Sequence, residues 1–139
     1  MTGQAEAGRL AALQRLAQMI RERDLAALAP ARAAEAEAQA RVRAIDAMMV
    51  AVIRQQGTMA DPPEMAVAER FLRRAAGQKA DANAALARAR AVSLRLTEVA
   101  RRSAGRADAL HELAARARTD AQVRLRRRHD PDAGAGGPG

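Results

Sequence analysis

The scarcity of aromatic side chains is the feature that most constrains what this chain can fold into. Among 139 residues Phe71 is the one aromatic residue, and tryptophan, tyrosine and cysteine are absent. Compact α/β interiors rely on bulky apolar side chains, which a chain dominated by alanine, arginine and leucine cannot supply. Those same three residues lose little free energy on entering a helix. The composition therefore predicts an all-α protein whose long helices meet along a thin seam of small residues.

A helix stop and a helix start lie close together in the middle of the chain. Gly57 is typical of a residue that ends a helix in the left-handed conformation. Asp61 is a favourable N-cap, Pro62 fits the first helical position, and Glu64 completes a D-x-x-E capping box. The sequence thus predicts an antiparallel turn at residues 58–63, the tip of a helical hairpin.

Apolar and small residues on both sides of this tip recur at the steps of three and four that are typical of coiled coils. Before the tip they are Leu10, Leu13, Leu16 and Ile20, followed by Val42, Ile45, Met49 and Val52. After the tip they are Leu86, Ala89, Ser93, Leu96, Ala100, Ser103, Ala107 and Leu110. We therefore predict a long two-helix antiparallel coiled-coil hairpin.

The predicted boundaries follow from these signals. They are a flexible N-terminus over 1–9, a first helix over about 10–57, a second helix over about 62–128, and a disordered glycine-rich tail over 129–139. Because the second helix is the longer one, about two dozen of its last residues are expected to overhang the start of the first. Proline in a helix interior removes a hydrogen bond, so we also expect a kink or short break at Pro30.

Charge is distributed unevenly along the chain. The net charge is +8, and residues 64–128 contain sixteen Lys and Arg residues against seven Asp and Glu residues. Such a basic helix predicts an acidic partner, which could be a protein, a nucleic acid or an anionic membrane. Aromatic residues for base stacking are absent and acidic residues interrupt the stripe, which argues against nucleic acid.

The sequence offers no catalytic, cofactor-binding or metal-binding residues. His111 precedes Glu112, but the second histidine of an H-E-x-x-H zinc site is missing. Serine and threonine residues have no activating histidine at a suitable spacing, and no phosphate-binding glycine loop occurs. We therefore predict a non-enzymatic protein without a small-molecule substrate. The longest apolar run is too short to cross a bilayer and the start lacks a secretory signal, so we expect a cytoplasmic location.

An apolar patch follows the tip on the second helix. Phe71 and Leu72 lie there with Met65 and Ala75. These residues can close the end of the hairpin seam, or they can form an exposed contact site for a partner.

The chain resembles the FliJ family of flagellar export proteins and the related YscO-like stalk proteins of type III secretion. The resemblance is carried by the N-terminal LAALQRLAQMIRERDLAAL, the central tip and the C-terminal GRADALHELAARARTDAQVRLRRR, in which Leu110-His111-Glu112-Leu113 forms a short L-x-x-L element. It covers most of residues 8–128 as a pattern of composition and spacing. Pro30 and the high alanine content depart from the family pattern.

The resemblance implies a stalk that inserts its terminal end into the hexameric export ATPase and contacts the export gate and export chaperones elsewhere. On this interpretation the ATPase-binding residues are expected at the end of the second helix and the gate-binding residues at the tip. The candidates for the ATPase are Arg116, Arg118, Arg124, Arg126, Arg127 and Arg128, and those for the gate are Phe71 and Leu72. The protein would then work at the cytoplasmic face of the inner membrane, associated with it through the export apparatus.

Two other functions are consistent with the sequence. One is a generic coiled-coil adaptor or chaperone that self-associates along its apolar stripes. The other is a basic helical protein associated with nucleic acid or membrane, which steeply salt-sensitive DNA binding would reveal.

Overall fold

The described part of the chain is helical apart from one turn and its last residue, Asp130. The structure is a computed structural model that describes residues 2–130. They form helix α1 over Thr2–Gln56 and helix α2 over Pro62–His129. The two helices pack against each other, which confirms the predicted all-α two-helix fold.

Both outer boundaries differ from the predicted ones. Residues 2–9, predicted to be flexible, form the first turns of α1, because Ala5, Glu6 and Ala7 favour the helix. At the other end α2 includes His129, and the amide of Asp130 still donates to the carbonyl oxygen of Arg126 at 3.1 Å. The predicted tail therefore does not start at 129, and residues 131–139 lie outside the described residues.

Helix α1 passes through Pro30 without a break, contrary to one of the two outcomes expected there. The proline is exposed, whereas Leu28 and Ala31 beside it are turned towards α2 and are buried or half-buried. A proline ring on the outer side of a helix does not disturb the packed side. We infer that burial along the seam offsets the missing hydrogen bond.

The turn between the helices lies where the sequence predicts it but closes differently. No residue in the described range has a positive φ, so Gly57 does not adopt the left-handed conformation. Instead the amides of Thr58 and Met59 donate to the carbonyl oxygens of Gln55 and Gln56 at 3.1 and 3.2 Å. The Thr58 hydroxyl also donates to the Gln55 carbonyl at 2.9 Å. These three bonds satisfy carbonyl groups that the helix end leaves open.

The start of α2 matches the predicted cap in position. Asp61 precedes the helix and its carbonyl oxygen accepts a hydrogen bond from the amide of Met65 at 3.1 Å, as expected of an N-cap residue. Pro62 occupies the first helical position, where its missing N–H has no partner to lose.

The helices form two compact units. The tip unit comprises Ala26–Glu98 and contains the turn, and the terminal unit comprises Met1–Leu25 and Val99–Gly139. In each unit a segment of α1 packs antiparallel to a segment of α2.

The tip unit has an apolar core. Val42, Ile45, Ala75, Ala82 and Leu86 are buried against one another, and Ala38 and Met49 pack against this cluster. Seam residues recur every seven residues on each helix, which is the period of a coiled coil. On α1 the seam contains Leu28, Ala31, Glu35, Ala38, Val42, Ile45, Met49 and Val52, and on α2 it contains Ala68, Leu72, Ala75, Lys79, Ala82, Leu86, Ala89, Ser93 and Leu96.

The terminal unit uses the same seven-residue period with smaller side chains. Its buried residues are Ala17, Asp24, Ala100, Ser103, Ala107 and Ala114. Leu10 and Ile20 are half-buried, whereas Leu13 and Leu16, predicted to lie on the seam, are 49% and 53% exposed. The seam passes through Leu10, Ala17 and Asp24, seven residues apart. Leu13 and Leu16 therefore lie to one side of it.

Candidate partner-binding surfaces

The six candidate arginines all lie exposed on α2 within the terminal unit, but they do not form one patch. Arg116 and Arg118 are two residues apart, and a helix turns by about 200° over that distance. Arg116 follows Leu113 by three residues and so lies on its side of α2. Arg118 follows His111 by seven residues and so lies on the other side.

Arg124 lies where the two helices of the terminal unit still face each other. A Cβ atom placed on Gly3 would lie 3.1 Å from a terminal guanidinium nitrogen (Nη1) of Arg124. Gly3 therefore allows the arginine side chain to lie against the start of α1. Helix α2 then continues for only five residues, from Leu125 to His129.

The predicted overhang of about two dozen residues is thus wrong. It assumed that the first helix starts at Leu10, whereas α1 starts at Thr2. The short overhang nevertheless contains Arg126, Arg127 and Arg128, all exposed. Three consecutive helical residues point in directions that span about 200°, so these cations present charge around the end of α2 rather than to one side of it.

The two sides of the seam in the terminal unit differ in chemistry. On one side the side-chain amide nitrogen of Gln14 and Nδ1 of His111 are 2.7 Å apart, which joins the helices. On the other side Leu13, Leu16 and Ile20 of α1 and Arg106 and Leu110 of α2 line an open groove of about 170 Å³. The first side is held by polar contacts, and the second presents apolar surface.

The tip unit shows the same division. Its polar side is held by a 2.6 Å ion pair between Lys79 and Asp46 and by Arg90, which donates to Gln39 at 2.6 Å. Its other side contains a groove of about 590 Å³ next to the turn. The groove is lined by Val52, Gln55, Met59, Pro63, Glu64, Val67, Ala68 and Phe71.

The two candidates at the tip have different positions. Phe71 lines this groove and is exposed, so it is accessible to a partner. Leu72 lies on the seam between Ala68 and Ala75 and is half-buried, so it packs between the helices. Leu72 therefore closes the seam, which is one of the two alternatives that the sequence left open, while Phe71 stays exposed.

Three helical hydroxyl groups are bonded to the backbone of their own helix. The hydroxyls of Thr97, Ser103 and Thr119 donate to carbonyl oxygens three or four residues earlier, at 2.8, 3.1 and 3.0 Å. Within residues 2–130 no cluster of three or more His, Asp or Glu side chains could hold a metal ion. Neither helix, over that same range, has an apolar stretch that could cross a membrane.

Sequence reasoning missed one feature of these surfaces. The spacing of Leu13 and Leu16 predicts that they lie on the seam, yet they line an open groove together with Arg106.

No family model, curated protein or solved structure matches this chain.

Proposed function

We propose that this protein is a non-enzymatic coiled-coil component of a flagellar (type III) protein export apparatus. It acts as a stalk whose terminal unit binds the export ATPase and whose tip unit contacts the export gate, at the cytoplasmic face of the inner membrane. Export chaperones are further candidate partners.

The observation that carries this proposal is the end of the terminal unit. Arg126, Arg127 and Arg128 project around the end of α2, just beyond the contact between Gly3 and Arg124. A thin two-helix unit that ends in three cations spread around the end of α2 suits insertion into the opening of a ring-shaped partner with acidic walls. The family resemblance supplies the identity of that partner.

The tip unit supplies the second contact. The groove beside the turn contains Phe71, Met59 and Val67, which are accessible apolar side chains of the kind that form interaction surfaces. We assign Phe71 to contact with the gate, and we assign Leu72 to the packing that holds α2 in place beside it.

The test is co-elution of the protein with the flagellar export ATPase from the same genome, with ATP hydrolysis followed as the protein is added. A complex with raised hydrolysis supports the proposal. The absence of a complex at low and at moderate salt rejects it. A stable homodimer in light scattering would instead favour the self-associating adaptor.

A matched pair of variants tests the arginine assignment. Replacing Arg126, Arg127 and Arg128 by alanine should abolish or strongly weaken co-elution. Replacing Arg32, Arg41 and Arg43, three exposed arginines of the tip unit, removes the same charge and should leave co-elution intact. Equal weakening by both triple variants would show that net charge, rather than the end of α2, determines binding.

A further inference from the structure

We propose that the terminal unit binds a third helix: an acidic amphipathic helix of a partner protein that lies in the groove beside Leu13, Leu16 and Ile20. The inference does not depend on the export apparatus. It concerns the side of the terminal unit, whereas the proposed ATPase contact concerns the end of α2.

The first argument is the spacing of the apolar side chains. Leu13, Leu16 and Ile20 follow one another at steps of three and four, so they form a stripe along α1. Leu110 lies across the groove on α2, and Leu113, 48% exposed, follows it by three residues. An apolar stripe on α1 that faces Leu110 across an open channel forms a seat for a helix that packs its own apolar side into the channel.

The second argument is the exposure of these leucines beside a completed seam. Ala17, Ala107 and Ala114 are buried between α1 and α2, so the two helices already pack closely without Leu13, Leu16 or Leu113. Large apolar residues beside a closed seam are not explained by the contact between these two helices. They are explained by a further helix on that side.

The third argument selects the occupant by its charge. Arg9 precedes Leu13 by four residues, Arg106 lines the groove itself, and Arg116 follows Leu113 by three residues. The apolar channel is therefore bordered by cations on both helices. An amphipathic helix with glutamates beside its apolar stripe would place carboxylates near these guanidinium groups.

The same charges argue against a second copy of this chain. Residues 1–25 and 99–130 contain thirteen arginines and seven Asp and Glu residues, a net charge of +6. Two terminal units would bring these like charges together around a shared groove. The larger groove of the tip unit does not indicate the charge of an occupant in this way, because an acidic residue, Glu64, lines it.

The test uses a synthetic peptide as the probe. It is a fluorescein-labelled, alanine-based helix of about 21 residues, with leucines at steps of three and four on one side and glutamates on the flanks. Fluorescence anisotropy with the full chain should show saturable binding. A peptide in which lysine replaces each glutamate should not bind.

Substitutions on the exposed surface locate the site without disturbing the seam. The double variant Leu13→Gln and Leu16→Gln should weaken binding about tenfold or more, because it removes the apolar stripe. Arg106→Glu should weaken binding by reversing a charge at the groove. Leu94→Gln is the matched control, since Leu94 is 71% exposed and lies in the tip unit, and it should bind the peptide normally. Circular dichroism verifies that all variants remain helical.

Two results would overturn the proposal. Equal peptide binding by the native chain and the double leucine variant would mean that the peptide is held by charge alone or at another place. A homodimer in sedimentation that dissociates in the double leucine variant would mean that a second copy occupies the groove. The first result does not bear on co-elution with the export ATPase, so the two proposals can fail separately.

Discussion

The two units follow the same seven-residue repeat, and both bury small residues, but only the tip unit also buries large aliphatic side chains. The tip unit buries Leu28, Val42, Ile45 and Leu86 along its seam. The terminal unit buries alanine, serine and aspartate, while Leu13, Leu16 and Leu113 stay about half exposed. The seam of the tip unit therefore buries large aliphatic side chains, whose burial stabilises it, whereas the fully buried positions of the terminal unit are small or polar.

The ion pairs of seam residues also differ between the two units. In the tip unit Lys79 reaches Asp46, and Arg90 lies 3.8 Å from Glu35 across the helices. In the terminal unit Asp24 is 8% exposed and pairs with Arg23, its neighbour along α1, at 3.2 Å. The nearby Nε of Arg21 is buried without a hydrogen-bond partner. Charged seam groups thus join the helices in the tip unit, whereas the Asp24–Arg23 pair lies within α1 and the contact of Gln14 with His111 joins the helices of the terminal unit.

The largest expected effect comes from truncating a leucine in each unit. Leu86 is 6% exposed, so Leu86→Ala should lower the free energy of unfolding by about 2–5 kcal/mol, the cost of lost burial and a residual cavity. Leu16→Ala should cost less than about 1 kcal/mol, because half of that side chain already contacts water. Urea unfolding followed by circular dichroism measures both. Similar losses would contradict the contrast between the units.

A smaller effect of opposite sign is expected at Asp24. Replacing this buried carboxylate by leucine should raise the free energy of unfolding by about 1–2 kcal/mol relative to the matched change Asp46→Leu. Both changes bring the same gain in helix propensity, so their difference reports burial and pairing alone. Asp46→Leu also loses the ion pair with Lys79, which is partly exposed to solvent and contributes at most about 1 kcal/mol. The comparison fails if Asp46→Leu proves the more stabilising of the two.

The smallest effect concerns two helical glycines, one in each unit. A Cβ atom added at Gly77 or Gly105 meets no atom within 4 Å, so alanine fits at both positions. Each substitution should stabilise its helix by about 0.5–1 kcal/mol, because alanine loses less backbone entropy. Amide hydrogen exchange should show added protection in the tip unit for Gly77→Ala and in the terminal unit for Gly105→Ala. Protection that rises equally throughout both units for either variant would show that they unfold as one.

The fold was largely predictable because periodicity and turn signals agree. Val42, Ile45, Met49 and Val52 were predicted to lie on the seam, and all four are buried or half-buried. The run from Leu86 to Leu110 on α2 is confirmed in the same way. The position of the turn was predictable because a residue typical of helix ends and a proline typical of helix starts lie within a few residues of each other. The hydrogen bonds that close the turn were not predictable, since glycine permits a left-handed conformation without requiring it.

The terminal surfaces were harder to predict because apolar character was taken as a sign of burial. Leu13 and Leu16 were assigned to the seam, although Ala17 and Asp24 occupy it. Counting back from Ile45 in steps of seven leads through Ala38, Ala31 and Asp24 to Ala17, so the register was present in the sequence. Side-chain size obscured it, because small residues suit a close seam as well as leucine does. The exposure of the arginines was predictable from their charge. That they lie on two sides of α2 and around its end became clear only from the structure.

The contact between Gly3 and Arg124 has a consequence for how the chain could be rearranged. It makes the start of α1 and the end of α2 close neighbours within the terminal unit, while the turn at residues 57–61 belongs to the tip unit. A short linker could therefore join the two ends, and new termini could be opened in the turn, giving a circular permutant with the same seam. In that permutant the last arginines of α2 would be followed by the linker that leads into α1.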